Sequence, residues 1–233
     1  MKVGEFLDKL KLAEKEKTLY IKGCFGAYMN DANKKRYSTN LAYNAARKNM
    51  IMAATPDTFG FDCVCLIKGI LWGWNADKTK TYGGAVYKSN GVPDVGADGI
   101  LAYLKGVSSD FNGIVAGEVV WMSGHVGVYV GGGKVIECTP KWTNDVQYSN
   151  LGNIGYTSGH TRYWKKHGKL PWVEYEDIPT VQKPSEKYYI VKKGDTSSKI
   201  AKAHGISLRE FSALNPSITN LNKIYVGQKV RVK

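Results

Sequence analysis

Of the four cysteines in this sequence, Cys63 has the setting that a nucleophile needs. Apolar side chains follow it at helical intervals, and Gly60 and Asp62 just before it indicate a turn and a helix cap. Cys63 would then begin a helix, where unpaired N–H groups and the positive end of the helix dipole stabilise a thiolate. Cys65 would point elsewhere, because it lies about 200° further round the helix. The alternative for Cys63 is a small buried hydrophobe.

A thiolate nucleophile needs a base, and the strongest candidate lies in a hairpin predicted over residues 124–138. If Gly131–Gly133 form a three-residue loop, His125 and Glu137 share one face of the hairpin and Cys138 lies on the other. Their diagonal spacing is within reach of a long carboxylate. A glutamate that accepts the Nδ1 proton would leave Nε2 of the imidazole free as the base. The alternatives are a histidine satisfied at a strand start and a solvent-facing acid.

A short acidic segment divides the chain. Residues 173–186 contain two prolines and four acids against one lysine, without apolar periodicity, and predict a semi-extended linker. On either side, residues 1–172 carry 22 Lys and Arg against 14 acids, and residues 187–233 carry ten against two. The sequence therefore predicts a large domain over 1–172 and a small one over 187–233.

The small domain carries the signals of a β-α-α-β unit in fewer than fifty residues. In chain order these are a β-prone run (188–191), a turn (194–196), a helix that Gly205 ends, a capping box (Ser207 and Glu210), a second helix that Asn215-Pro216 ends, and a strand (226–232).

Tyr-x-Val-x-x-Gly-Asp-Thr at 189–196, the Asn215-Pro216 helix end and the run at 224–230 resemble a LysM domain over its whole length. The resemblance implies binding of N-acetylglucosamine-containing glycans in a shallow groove between two loops. Ser197 departs from the bulky apolar residue usual after Gly-Asp-Thr. The same loop residues would also cap the helices. The positions carried over as glycan-binding are Gly194, Asp195, Thr196, Ser197, Asn215, Pro216 and Ile218.

Asp62-Cys63 at a helix start, followed by Gly124-His125-Val126-Gly127-Val128-Tyr129 and a polar residue twelve beyond the histidine, resembles the NlpC-type papain-like cysteine peptidases of cell-wall turnover. The resemblance implies an α+β fold, in which a central helix bearing the cysteine packs on an antiparallel sheet. It also implies catalytic roles for Cys63, His125 and Glu137. The implied substrate-lining positions are Tyr20, from a Tyr-x-x-Gly element, with Asp62 and Gly124.

Two departures from that family stand at the site. Val64-Cys65 replaces the usual Ser-Gly after the nucleophile, and Glu137 replaces the more common histidine. A carboxylate can orient imidazole, and the backbone N–H of Cys63 can hold part of an oxyanion, so no required group is lost. The residues at 137–142 and 167–171 extend the likeness to phage or prophage endolysins of Gram-positive hosts.

A zinc site is the competing use of the same residues, and its ligands would be Cys63, Cys65, His125 and Cys138. The sequence has no Cys-x-x-Cys knuckle, and the hairpin register separates His125 from Cys138. We therefore expect no metal and no organic cofactor. His160 and His167 lie in a polar, basic stretch and are expected at the surface.

Charge and hydropathy limit the classes of partner that are expected. The net charge of +13 and 12% aromatic residues suit nucleic acid, but the sequence has no helix-turn-helix, RNP or zinc-finger pattern and its basic residues are dispersed, which suits adsorption to an anionic wall polymer. No apolar run approaches the roughly 20 residues of a membrane span. The N-terminus has no apolar signal core, so we expect synthesis in the cytoplasm without a signal peptide and action on the wall after release.

The expected protein is therefore an α+β, papain-like peptidase domain joined to a βααβ LysM domain. Its expected function is hydrolysis of a stem-peptide amide of bacterial peptidoglycan, as an endopeptidase of the endolysin type and a monomer. Two alternatives stay open: an N-acetylmuramoyl-L-alanine amidase with the same triad, and a non-catalytic LysM wall-binding protein.

Overall fold

The computed structural model describes residues 1–157, 159–175, 187–218 and 220–232. The chain divides into two units, Met1–Glu176 and Asp177–Lys233. Of the expected linker 173–186, residues 176–186 lie outside the described residues.

The helix that begins at Cys63 is buried along its whole length and organises the first unit. Its fully buried Leu66, Ile67 and Ile70 each contribute roughly 1.5–3 kcal/mol of hydrophobic stabilisation. The amphipathic first helix packs against it through Val3, Phe6 and Leu10. The helices of this unit are α1 (Val3–Lys15), α2 (Asp31–Tyr37), α3 (Ala42–Ala45), α4 (Lys48–Ala53) and α5 (Cys63–Leu71).

The strands of the first unit form two sheets within the described residues. They are β1 (Thr18–Tyr20), β2 (Phe25–Tyr28), β3 (Phe59–Phe61), β4 (Lys105–Ser108), β5 (Val119–Met122), β6 (His125–Gly131), β7 (Lys134–Cys138), β8 (Val146–Leu151), β9 (Thr161–Arg162) and β10 (Lys166–Lys169). The small sheet has the order β1-β3-β2, and the large one β4-β10-β5-β6-β7-β8-β9. All pairs of the large sheet are antiparallel except β8–β9.

The hairpin of β6 and β7 differs from expectation at its turn. Gly131 pairs with Lys134 across Gly132-Gly133, and both turn glycines have positive φ, +58° and +74°. The pair is typical of a tight two-residue hairpin turn, which only residues tolerant of positive φ adopt. A bulge before Gly131 restores the expected pairing further along, so that Val128 faces Ile136. Glu137 therefore keeps its place opposite Gly127.

The first unit extends past residue 172. Val173 is buried in the main core, and Glu174 pairs with Lys2 in a parallel bridge. The Tyr175 hydroxyl donates to the carbonyl of Gly117 at 2.8 Å and accepts from the N–H of Leu170 at 3.0 Å. These contacts attach the segment to the N-terminus and to the large sheet.

The second unit has the predicted β-α-α-β order. It contains β11 (Tyr188–Ile190), α6 (Ser197–Ala203), α7 (Leu208–Leu214) and β12 (Lys229–Arg231), and the two strands pair antiparallel. The predicted capping box is confirmed, because Ser207 and Glu210 each bond the other's backbone N–H. Its core is built around the fully buried Phe211. In the described part of the chain, no helix is both long and apolar enough to cross a membrane.

Candidate functional site

Asp62 and Cys63 form the start of α5 as the sequence predicts. The Asp62 carboxylate accepts from the N–H of Cys65 at 2.7 Å with one oxygen and from the N–H of Gly23 at 2.7 Å with the other. The first bond caps the helix, and the second attaches the helix start to the loop after β1. Asp62 is buried, and both of its carboxylate oxygens are taken by these backbone N–H groups.

The Cys63 thiol is buried and uncharged at neutral pH. Burial and then the adjacent Asp62 carboxylate raise its pKa to about 12, although backbone N–H groups of Val126, Val64 and Cys63 act in the opposite direction. The expected thiolate at the helix start is therefore not the resting state, since desolvation outweighs the helix end. The contribution of Val126 locates the sulfur beside the residue that follows His125.

His125 and Glu137 are in direct contact. The imidazole Nε2 lies 2.6 Å from Glu137 Oε2. The expectation that Glu137 would take Nδ1 is wrong, because Nε2 faces the acid. Burial alone would raise the pKa of Glu137, but His125, Arg162 and Ser149 together lower it below its ordinary value. The acid is thus ionised and fully buried, as an orienting group for a histidine must be.

Arg162 completes this cluster and was not anticipated. Its Nε lies 2.9 and 2.7 Å from the two oxygens of Glu137, and its Nη2 donates to the hydroxyl of Thr139 at 3.0 Å. The residue reaches Glu137 through the parallel pairing of β8 and β9, where it faces Leu151. A buried carboxylate that needs compensation is the one signal that could have led to it.

Aromatic rings surround the imidazole and the arginine. Trp164 stacks on His125 with ring centroids 5.5 Å apart and an interplanar angle of 16°. The Arg162 guanidinium lies over Trp142 at 4.8 Å. The His160 ring also stacks on Trp142, with centroids 4.6 Å apart. These planar contacts restrict the rotamers of both His125 and Arg162.

The turn that precedes His125 is held by a residue from another segment. Asp98 accepts from the N–H of Gly124 at 2.7 Å and from the indole of Trp121 at 3.2 Å. Gly124 has φ +73° and is exposed, so this predicted lining position presents backbone rather than a side chain. The direction in which His125 enters β6 is fixed by these two bonds.

Tyr20 lies near Cys63. It pairs with Phe61, two residues before Cys63, in the parallel β1–β3 ladder. Burial and then the neighbouring Cys63 and Asp62 raise the pKa of its phenol. Arg47 lies over its ring at 5.6 Å. The structure therefore brings the predicted Tyr20, Asp62 and Cys63 into one neighbourhood.

The remaining predictions for histidine and cysteine residues have different outcomes. His167 is buried, not at the surface: its Nδ1 is bonded to Glu118 and its Nε2 lies 2.9 Å from the carbonyl of Asp110. His160 is exposed as expected. The Cys138 thiol donates to the Phe61 carbonyl at 3.3 Å, on the face away from Glu137. Among the described residues, no group of three or more His, Cys, Asp and Glu is arranged to hold a metal.

The residues predicted to bind glycan fall into two sets. Gly194, Thr196 and Pro216 are exposed and Asp195 is half-buried. Ser197, Asn215 and Ile218 are buried and serve the interior of the unit. The Ser197 hydroxyl donates to the Leu221 carbonyl at 2.7 Å, and Asn215 bonds Phe211 and Arg231. Asp195 accepts from the Tyr189 hydroxyl and the N–H of Lys192, which fixes the first loop.

The family comparison agrees with the second unit's fold and caps: residues 189–233 match the LysM domain family. The C-terminal unit is a LysM domain. LysM domains bind peptidoglycan and N-acetylglucosamine-containing glycan, which associates this chain with the bacterial cell wall.

Two curated relatives share this LysM domain. The endolysin of Bacillus phage B103 is 54% identical over 44 residues, which are 19% of this chain and 17% of the relative. The chlorophenol reductase of Desulfitobacterium hafniense is 46% identical over 46 residues, 20% of this chain and 14% of the relative. This chain thus covers less than a fifth of either relative's length. The two relatives carry different names. The shared domain therefore supports wall association but does not indicate a shared reaction.

Proposed function

We propose that the chain is a peptidoglycan hydrolase that cleaves an amide bond of the stem peptide with Cys63, His125 and Glu137. The observation that carries the proposal is the 2.6 Å contact between His125 and a fully buried, ionised Glu137, next to the strand backbone that faces the Cys63 sulfur. The backbone N–H of Val126, the residue after His125, faces the Cys63 sulfur, and an oriented imidazole and a thiol at a helix start are the components of a nucleophile and its base. In this proposal the first unit is a papain-like, NlpC-type domain.

The proposed reaction begins with a neutral thiol. Cys63 attacks the amide carbonyl while its proton passes to Nδ1 of His125, and Glu137 stabilises the imidazolium through Nε2. Backbone N–H groups at the start of α5, including that of Cys63, hold the oxyanion. The imidazolium then protonates the leaving amine, and water, deprotonated by the same histidine, releases the acyl group from the sulfur.

The LysM domain supplies the second part of the proposal. It keeps the enzyme on the glycan strand, so that the tethered catalytic unit meets stem peptides at a high local concentration. The exposed Gly194, Thr196 and Pro216, with the half-buried Asp195, are the proposed glycan contacts, as a set on two neighbouring loops. The partner is bacterial peptidoglycan, and the proposed setting is phage-type lysis of the wall.

Lysis of purified cell walls tests the catalytic proposal. Wild type is expected to reduce wall turbidity and Cys63→Ala to be inactive, while both sediment with walls through the LysM domain. Cys24→Ala is the matched control, because Cys24 is equally buried but belongs to a separate core cluster. Equal lysis by wild type and Cys63→Ala would remove the triad from the reaction.

The identity of the bond is tested on the products. An endopeptidase releases peptide fragments with a new amino terminus within the stem, whereas an N-acetylmuramoyl-L-alanine amidase, which can use the same triad, releases intact stems. Mass spectrometry of the soluble muropeptides distinguishes them. We propose the endopeptidase; a digest that contains only intact stem peptides would favour the amidase.

A further inference from the structure

An arginine without an acidic partner lies beside the proposed nucleophile. Arg47 is half-buried between two tyrosine rings, 5.6 Å from the centroid of Tyr20 and 5.3 Å from that of Tyr43. Its Nη1 donates to the Tyr43 hydroxyl at 2.7 Å, and its Nη2 bonds the side-chain oxygen of Asn144. In the described part of the chain, no carboxylate forms a salt bridge with it.

The acids of this neighbourhood are already occupied. Asp62 accepts from the N–H groups of Gly23 and Cys65, and Asp145 accepts from the Thr143 hydroxyl at 2.6 Å. Arg47 therefore keeps its positive charge uncompensated, and Nε–H and one hydrogen of Nη1 have no acceptor among the described residues. A partly desolvated guanidinium with free donors is a receptor for a carboxylate.

The position of Arg47 relates this receptor to the scissile bond. Tyr20, on whose ring it lies, pairs with Phe61 two residues before Cys63. Asn144, which it bonds, also accepts from the N–H of Tyr20 at 2.9 Å through its carbonyl. A ligand group held by Arg47 would thus lie along the rim formed by Tyr20, whose phenol neighbours Cys63.

We propose that Arg47 binds a free carboxylate of the substrate peptide next to the amide that Cys63 attacks, and so selects acidic over amidated stem peptides. The inference rests on the proposed function and adds the substrate class. In a γ-linked glutamyl peptide, such a carboxylate is the α-carboxyl group, one side chain away from the γ-amide. Amidation of this group would leave the guanidinium without its counter-charge.

The test measures binding rather than turnover, so that it does not depend on catalysis. In a full-length Cys63→Ala background, calorimetry compares two soluble stem peptides that differ only in carrying a carboxylate or a carboxamide at the glutamyl α-position. The carboxylate peptide is expected to bind about tenfold more tightly, the effect of one charge-assisted bond pair. Arg47→Gln is expected to abolish that preference and Arg47→Lys to retain part of it. Lys48→Gln, an exposed neighbour with the same charge change, should retain all of it.

Each other outcome overturns the inference. Equal binding of both peptides in the Cys63→Ala background, or equal losses for both in Arg47→Gln, would reduce Arg47 to a structural residue of the Tyr20 rim. Binding of neither peptide would also reject the assigned substrate class. Failure of the proposed function has a different signature, namely wall lysis that Cys63→Ala leaves unchanged.

Discussion

The Nε of Arg162 lies within hydrogen-bonding distance of both carboxylate oxygens of Glu137, at 2.9 and 2.7 Å, while His125 takes one of the same oxygens at 2.6 Å. The three groups form one cluster, in which Glu137 is fully buried and His125 and Arg162 are half-buried. The cation lets the carboxylate stay ionised without water, and the carboxylate orients the imidazole. Breaking a buried pair by removing one partner typically costs about 3–5 kcal/mol.

We therefore expect Arg162→Gln to lower kcat of wall hydrolysis by roughly 10–100-fold, because Glu137 would lose the cation that, after His125, lowers its pKa. Loss of a positive neighbour raises a carboxylate pKa, so the acid limb of the pH–rate profile should move to higher pH. Arg162→Lys keeps the charge but not the paired geometry, so its kcat should lie between the values for wild type and Arg162→Gln.

The control for that experiment is Lys165→Gln, an exposed cation three residues away. It should leave both kcat and the acid limb unchanged. An Arg162→Gln profile that is scaled down without moving along the pH axis would assign Arg162 a purely structural role.

Alkylation of Cys63 tests whether its thiol is neutral at rest. With a pKa of about 12, its rate of reaction with iodoacetamide should rise about tenfold per pH unit from pH 7 to pH 9, as the thiolate fraction rises. Mass spectrometry with fragmentation separates Cys63 from Cys65 on the same peptide. A rate that is already constant at neutral pH would mean a preformed thiolate–imidazolium pair.

The buried His167 makes the stability of the first unit depend on pH. Burial lowers its pKa, but Glu118 and the Asp110 carbonyl outweigh burial and raise the pKa above 6.5. A histidine whose pKa is raised by folding stabilises the folded state fully at pH values below its pKa in the unfolded chain. This stabilisation is lost as the pH rises through its pKa in the folded state. The free energy of unfolding should thus fall as pH rises from about 6.5, and less so in His167→Gln.

Tryptophan fluorescence during urea unfolding follows this unit alone, because all six tryptophans lie before residue 173. His160→Gln is the matched control, since His160 is exposed and should leave the pH slope as it is in wild type. The same slope in His167→Gln and wild type would show that the His167–Glu118 pair does not titrate in this range.

Local signals in the sequence predict the elements that hold the proposed triad. The cap at Asp62, the helix after it and the diagonal contact of His125 with Glu137 follow from spacing and strand pairing, which depend on near neighbours. The capping box of Ser207 and Glu210 is local in the same sense.

Contacts between distant segments could not be predicted from such local signals. Arg162 meets Glu137 because β9 adds to the edge of β8, and nothing within either segment encodes that pairing. The burial of His167 likewise depends on Glu118, 49 residues away.

Asn215 is expected to be a structural residue of the LysM domain. Its amide nitrogen donates to the carbonyls of Phe211 and Arg231, both at 2.8 Å, and its oxygen accepts from the N–H of Arg231 at 2.7 Å. Asn215→Ala removes these three hydrogen bonds and should cost about 1–3 kcal/mol. Hydrogen exchange of the Phe211 and Arg231 amides measures it; the exposed Asn222→Ala should not differ from wild type.

Deletion of residues 187–233 separates wall binding from catalysis. Residues 189–233 match the LysM domain family, and among the described residues the core of the first unit contains none beyond 175. The truncated protein should therefore sediment less with cell walls and yet hydrolyse a small soluble stem peptide at the wild-type rate. If the truncated protein sediments with walls as fully as the whole chain, the wall contact belongs to the basic surface of the first unit. Loss of peptide hydrolysis would show that catalysis needs the LysM domain as well.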